Sequence, residues 1–380
     1  MNIKSVLKSS VAAAALVAIA APVAAPDANA GIKSSGKNSL AVGGYVTRSL
    51  MYADDGTEDQ LFITDGGTSE SRIRWIASGK LNENVSAGAG IELEIPNSNR
   101  NHSAFLGDNG DTNADKGWEN RHNFVWVSHK QMGKLSLGNT NAAANGATEA
   151  SLAGVGAIQL SGGATYGLGL EFVDPVATGR SRSGVKVGGA FSNFDMTSRT
   201  DVLRYDAPKF GGLSLAASLN GGGGTEVGAK YSGKFGGIKA LVKAGYTNTS
   251  GTSTTVESRQ GISGAVLHDS GINASVSWSE QSMKAAGRED PQNVYVAVGY
   301  IAKVFGTGKT HFNVAWNETS DLVAVGDEAN ALSFTVLQKF DAIGAHIALN
   351  YENLAYERAG AGGGDLDDID VITLNTQFNF

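Results

Sequence analysis

Apolar and polar side chains alternate one by one through most of the chain beyond residue 38. Leu213, Leu215, Ala217 and Leu219 take one side of their segment, and Ser214, Ala216, Ser218 and Asn220 take the other. Ile272, Ala274, Val276 and Trp278 oppose Asn273, Ser275, Ser277 and Ser279 in the same way. Ile343, Ala345, Ile347, Leu349 and Tyr351 oppose Gly344, His346, Ala348, Asn350 and Glu352. A period of two sends successive side chains to opposite faces of an extended chain, so these segments are strands and not helices. Sixteen of them follow one another, at approximately 39–53, 71–80, 85–95, 120–129, 133–140, 199–206, 213–220, 226–235, 237–248, 256–268, 271–282, 293–304, 309–319, 329–340, 343–353 and 370–380. Many have about ten residues, the length of a tilted strand that crosses a membrane.

The connections alternate too. Short turns at 81–84, 130–132, 206–208, 268–270 and 341–342 are interleaved with longer loops at 54–70, 96–119, 141–198, 282–292 and 354–369. A soluble sandwich has no reason to sort its loops by parity. A membrane barrel has one, because its turns are tight at one end and its loops long at the other. The fold class expected is therefore all-β, a closed transmembrane antiparallel barrel of about sixteen strands. In lipid an open sheet edge would leave backbone groups unsatisfied, so the last strand must pair with the first. Apolar faces then look out and small polar residues look in. Trp75, Trp126, Tyr246, Tyr300, Trp316, Phe340 and Tyr351 lie toward segment ends, as interface girdles would.

The N-terminus adds a compartment. Lys4 and Lys8 precede an apolar stretch from Val11 to Ala21, and Ala28-Asn29-Ala30 gives a small-x-small cleavage site. Residues 1–30 read as a cleaved export signal, too short in its apolar part to span a bilayer. Residues 31–380 then form one barrel domain. Losing two lysines and one aspartate leaves the mature chain more acidic than the −7 of the 380-residue sequence, which favours cations mildly.

Composition excludes several chemistries. With no Cys there are no disulfides, thiolate metal sites or cysteine nucleophiles. No basic tract marks a nucleic-acid surface. The six His residues lack H-E-x-x-H spacing, and no G-x-S-x-G elbow occurs. Gly221-Gly222-Gly223-Gly224 joins two strands and opens no helix, so it is a loop. Asp111, Asn113 and Asp115 resemble the start of a calcium loop, but Lys116 and His122 replace the required Gly and Glu. They remain a candidate divalent-cation site. Asp365, Asp367, Asp368 and Asp370 form an acidic cluster in the last long loop, suited to cation bridges with anionic lipopolysaccharide. No cofactor and no catalytic constellation are expected.

Four stretches resemble the general trimeric porins of Gram-negative outer membranes. Ser71-Arg72-Ile73-Arg74-Trp75 with Gly79-Lys80-Leu81 looks like that family's second strand and first tight turn. Asn120-Arg121-His122-Asn123-Phe124 through Gly133-Lys134-Leu135-Ser136-Leu137-Gly138 looks like the two strands before its constriction loop. Leu203-Arg204-Tyr205-Asp206-Ala207-Pro208-Lys209-Phe210 resembles the turn after that loop. Phe378 and the terminal Phe380 resemble the barrel-assembly signal.

The resemblance implies a homotrimer with short periplasmic turns, long external loops and a third loop, 141–198, folded into the pore. Segment 185–194 adds local strand within that loop. The resemblance also implies arginines on the wall facing carboxylates on the loop. Arg72 and Arg121 match the first two wall positions, and Arg74 shares the face of Arg72. Arg199 is one residue off the third position, so Arg204 competes for it. Gly138-Asn139 stands where the family has Gly-Arg, and no Pro-Glu-Phe-Gly-Gly loop tip occurs. Glu149, Glu171 and Asp174 are the loop carboxylates available. The function implied is passive diffusion of small hydrophilic solutes and ions through an outer-membrane channel, without enzymatic activity. The partners implied are membrane lipid and lipopolysaccharide. A substrate-selective porin is the alternative, and an outer-membrane enzyme or a secreted β-protein the more distant ones.

Overall fold

The computed structural model describes residues 38–68, 70–95, 117–176, 181–249, 251–360 and 364–380. The export segment 1–30 and the trio Asp111, Asn113 and Asp115 lie outside them. The first strands are β1 (Ser39–Asp54), β2 (Asp59–Thr64), β3 (Arg72–Lys80), β4 (Val85–Glu94), β5 (Glu119–His129) and β6 (Gly133–Asn141). A small hairpin, β7 (Glu171–Val173) and β8 (Arg182–Lys186), interrupts the long third connection. Then come β9 (Arg199–Asp206), β10 (Leu213–Asn220), β11 (Thr225–Phe235), β12 (Ile238–Asn248), β13 (Val256–His268) and β14 (Ile272–Met283). The last are β15 (Gln292–Phe305), β16 (Gly308–Ser320), β17 (Glu328–Phe340), β18 (Ala345–Glu357) and β19 (Ile369–Asn379).

From β3 onward each barrel strand pairs antiparallel with the next, β6 with β9 past the β7–β8 hairpin, and β1 closes the ring against β19 from Tyr45↔Asn379 to Asp54↔Asp370. On its other edge β1 pairs first with β3 and then with β2, so β2 and β3 form one interrupted stave. The result is a closed barrel of sixteen staves. Two expectations change. The first long connection, 54–70, contains β2, and segment 185–194 holds the end of β8 followed by a single helical turn, Val187–Ala190. Phe380 fastens the seam, its N–H and carbonyl bonded to the carbonyl and N–H of Gly44, both at 3.0 Å.

The outer surface is apolar. Leu215, Val276, Ile347 and Leu349 are exposed, while their neighbours Ser275, Ser277, His346 and Asn350 are buried inside. A band of exposed Val, Ile and Leu is uncompensated in water and favourable in hydrocarbon. Val276→Lys, near the middle of β14, should therefore cost about 2–4 kcal/mol, read as a lower urea midpoint for the vesicle-embedded chain. An unchanged midpoint would contradict a lipid-facing Val276.

The interior is less uniformly polar than alternation implies. Met51, Phe62, Tyr166, Phe172, Leu354, Ile369 and Val371 belong to one dry cluster between the long third connection and the inner faces of β1, β2 and β17–β19. Trp126 is not a girdle residue. It shares the inward face of Phe124, and the Lys134 ammonium lies over both rings at 5.3 and 5.9 Å.

Candidate functional site in the barrel lumen

The third connection lies along the inside of the wall, and its polar backbone is satisfied there. Ala143 N–H donates to Ser218 at 3.0 Å, Ala144 N–H to Glu226 at 2.9 Å and Ala150 N–H to Ser263 at 2.9 Å. Farther round, His311 Nδ1 lies 2.6 Å from the Ala153 carbonyl, Asn317 donates to the Ser161 carbonyl at 2.9 Å, and Tyr166 bonds Ser49 at 2.9 Å. These partners sit on β10, β11, β13, β16 and β1 in turn. Approach is close enough to demand glycine: a Cβ on Gly228 would stand 2.5 Å from the Ala143 carbonyl. A Cβ on Gly67 would stand 2.5 Å from the Tyr166 ring. The loop thus follows the wall from β10 round to β1.

The wall of β3, β4, β5 and β9 carries the cations. Arg72 lies opposite Glu94 in register, and its Nη1 reaches across the diagonal to Glu92 at 3.2 Å. Arg121 Nε donates to Glu92 at 3.0 Å, and its Nη1 to Glu94. Arg74 stands 3.8 Å from Glu92. The Tyr45 ring lies 5.0 Å from the Arg72 guanidinium. Arg72 and Arg121 are buried by these contacts, whereas Arg74 keeps 29% of its side chain accessible.

A bulge makes this arrangement. The β4–β5 register steps from Glu92↔His122 to Leu93↔Asn120, so Arg121 has no partner across the pair. Successive residues Arg121 and His122 are consequently both turned inward, where strict alternation allows only one. His122 Nδ1 then meets the Thr140 hydroxyl at 3.1 Å.

The two candidates for the third basic position separate. Arg199 forms the last register pair of β9, with Asn141, and stands within Coulombic reach of Arg121, Arg72 and Glu92. The strand end frees it from the alternation that would aim it outward. Arg204 faces the lumen but is held by Asp206 at 2.6 Å and donates to the carbonyls of Asn141 and Ala142 at 3.1 and 2.9 Å. It anchors the start of the loop.

The three loop carboxylates have other partners. Glu171 accepts from Gly184 N–H at 2.7 Å inside the β7–β8 hairpin. Asp174 pairs with Arg358 at 2.5 Å beside the last long loop. Glu149 lies half-buried against β12, beside Asp195 and the Lys243 ammonium, which donates to the Gly146 and Glu149 carbonyls at 2.9 and 3.2 Å. The wall arginines draw their carboxylates from Glu92 and Glu94 instead, a pair the motif comparison passed over. Their signal was present: in Ile91-Glu92-Leu93-Glu94 both acids share a face, and that face points inward.

Burial, and next the Asp195 carboxylate, push the Glu149 carboxyl up from the ordinary 4.5 to about 7. Burial raises Asp195 as well, against the donors from Gly146 and Thr148. The folded chain therefore keeps a proton on Glu149 that the unfolded chain releases at lower pH. The stability this neutral anchor contributes is complete below pH 4.5 and declines as pH rises toward about 7. Glu149→Gln should flatten that decline, measured as urea midpoint against pH. A wild-type midpoint independent of pH across the same window would contradict it.

Among the described residues no group of three His, Cys, Asp or Glu converges to hold a metal ion. No described helix is long and apolar enough to cross a membrane.

Comparison with known proteins agrees with this fold. No curated protein sequence matches the chain. Among solved structures, the anion-selective porin from Comamonas acidovorans aligns with a TM-score of 0.59 at 17% identity, over 90% of this chain and 100% of that one. The trimer form of OmpT, an outer membrane protein of Vibrio cholerae, aligns with a TM-score of 0.57 at 13% identity, over 91% and 100%. The outer membrane channel DcaP of Acinetobacter baumannii aligns with a TM-score of 0.54 at 13% identity, over 92% and 100%. At these identities the likeness is one of fold. The model of the Gram-negative porin family matches residues 12–376, so the chain, a closed outer-membrane barrel, belongs to that family.

Proposed function

We propose that this porin passes small hydrophilic solutes and ions by passive diffusion, with a preference for anions set by the arginine wall. The observation that carries the reading is the charge balance of that wall. Four guanidiniums, Arg72, Arg74, Arg121 and Arg199, gather around three carboxylates, Glu92, Glu94 and Glu70. Low-dielectric walls focus such an excess across a narrow water path. Local charge at the neck outweighs the acidic net charge of the chain, whose exposed part is screened within about 10 Å at ordinary salt. Arg74, the accessible member, meets the solute first.

The loop that lines β10 to β1 narrows the passage from the opposite side, as a folded-in third loop would. Its contribution is shape and not acid, since Glu149, Glu171 and Asp174 are engaged elsewhere. Three further readings belong here: residues 1–30 as a cleaved export signal, Phe378 and Phe380 as the assembly signal, and a homotrimer in the outer membrane. The trimer finds support in the trimer form among the similar structures. Membership of the porin family supports a channel over an enzyme.

Planar-bilayer recording tests the proposal. The folded protein should open in long-lived steps, and the reversal potential across a KCl gradient should carry the sign of chloride preference. A potassium-selective sign would overturn the role given to the wall.

A further inference from the structure

A second basic feature lies at the periplasmic end of the lumen, away from the arginine wall. Register carries Ala302 opposite Thr310 and then Phe305 opposite Gly308, so a bulge sets Lys303 and Val304 together across from Lys309. Val304 and Lys303 are both exposed there, and Lys303 stands within Coulombic reach of Lys309. On the next pair Thr310 opposes Gln338, and Lys309, one residue before Thr310, lies within Coulombic reach of Lys339. Lys339 in turn opposes His346. Three lysines thus occupy adjacent staves, with Lys309 within Coulombic reach of both Lys303 and Lys339. Lys239 of β12 is also within Coulombic reach of Lys309, and the acid near both Lys309 and Lys339 is Asp341.

Like charges directly opposite one another across strands destabilise the pair. Here neighbouring lysines act on one another twice in succession, with Asp341 among the groups beside them. Adjacent staves lie about 4.8 Å apart, so flexible lysine stems let neighbouring ammonium groups meet on one small anion. A chloride answers one ammonium at a time. A phosphate presents several oxygens and two charges, and can answer two or three.

We propose that Lys303, Lys309 and Lys339 form a phosphate-recognising subsite at the periplasmic exit, which holds inorganic phosphate or a phosphate monoester as it leaves the pore. This rests on the channel reading and adds a ligand class and a location to it.

The test uses the full chain in planar bilayers in KCl. Wild type is compared with the combined variant Lys303→Gln, Lys309→Gln and Lys339→Gln, and with Lys130→Gln in the β5–β6 turn as the control. Inorganic phosphate is titrated from the side of the short turns in one arm, and glycerol phosphate in the other. Phosphate should block wild type and Lys130→Gln alike, and the combined variant should need about tenfold more or higher, at about fivefold for each full kcal/mol lost with a charge. Block by both compounds assigns recognition to the shared phosphoryl group, and block by phosphate alone assigns it to the free ion. Equal block of wild type and the combined variant, with steps intact, overturns the subsite. A chain that gives no steps overturns the channel reading instead. Calorimetric titration of the detergent-folded protein with inorganic phosphate then decides the row separately: heat lost in the combined variant upholds it, and no heat in wild type overturns it.

Discussion

Glu92→Gln is expected to cost the folded chain about 3–5 kcal/mol and to strengthen its anion preference. Glu92 is 3% exposed, takes Arg72 at 3.2 Å and Arg121 at 3.0 Å, and has Arg74 at 3.8 Å. Glutamine keeps the volume and removes the charge, so three guanidiniums are left with Glu94 and Glu70 as their near carboxylates. The penalty is that of stranding buried cations, which exceeds what the pairs contributed while intact. Two readouts separate fold from field. The urea midpoint in vesicles should fall, and the reversal potential should move further toward chloride. Arg74→Gln is the counterpart. Its partly accessible side chain contributes about 1 kcal/mol or less to stability, yet its loss should weaken anion preference clearly. If Glu92→Gln left both midpoint and selectivity unchanged, the cluster would be neither structural nor electrostatic in its effect.

Tyr166→Ala is expected to loosen the loop from the wall, at about 3–5 kcal/mol for a large aromatic removed from a packed interior. Tyr166 has no exposed surface, its ring fills the space over Gly67, and its hydroxyl bonds Ser49. The loop belongs to the lumen, so loss of this clip should raise single-channel conductance and add fluctuations between levels. Tyr166→Phe isolates the hydroxyl and should cost about 1 kcal/mol. A quiet Tyr166→Ala channel of wild-type conductance would show that Phe172, Leu170 and Val187 hold the loop without it.

The staves were legible because a barrel in lipid needs one apolar face on every strand, and period two records that need directly. Ser275 and Val276 show it: neighbours in sequence, one buried in the lumen and the other exposed to the membrane side. Legibility failed where both faces are apolar. In Phe124-Val125-Trp126-Val127 alternation leaves the lipid side undetermined, and Trp126 turned out to face in. Ile369, Val371 and Ile372 hid the dry interior cluster for the same reason, since Val371 meets the loop and Ile372 meets lipid. The strand Asp59–Thr64 escaped because acidic residues surround it and it pairs with only part of β1.

The site was half legible. Arg72, Arg74 and Arg121 stood in recognisable motifs, and the structure brings them together. A bulge carries no sequence mark, so the joint inward turn of Arg121 and His122 was not readable. The loop carboxylates were chosen by position in the chain, whereas pairing follows register. Register put Glu92 and Glu94 beside the arginines and gave Asp174 to Arg358.

The absence of cysteine allows a direct test of which side chains face the water path. Arg74→Cys and Val276→Cys are each placed in a planar bilayer and exposed to a charged, membrane-impermeant thiol reagent while current is recorded. Stepwise loss of current is expected for Arg74→Cys and no response for Val276→Cys. Block through position 276 with none through position 74 would mean that the barrel's faces, and the conducting path with them, have been assigned the wrong way round.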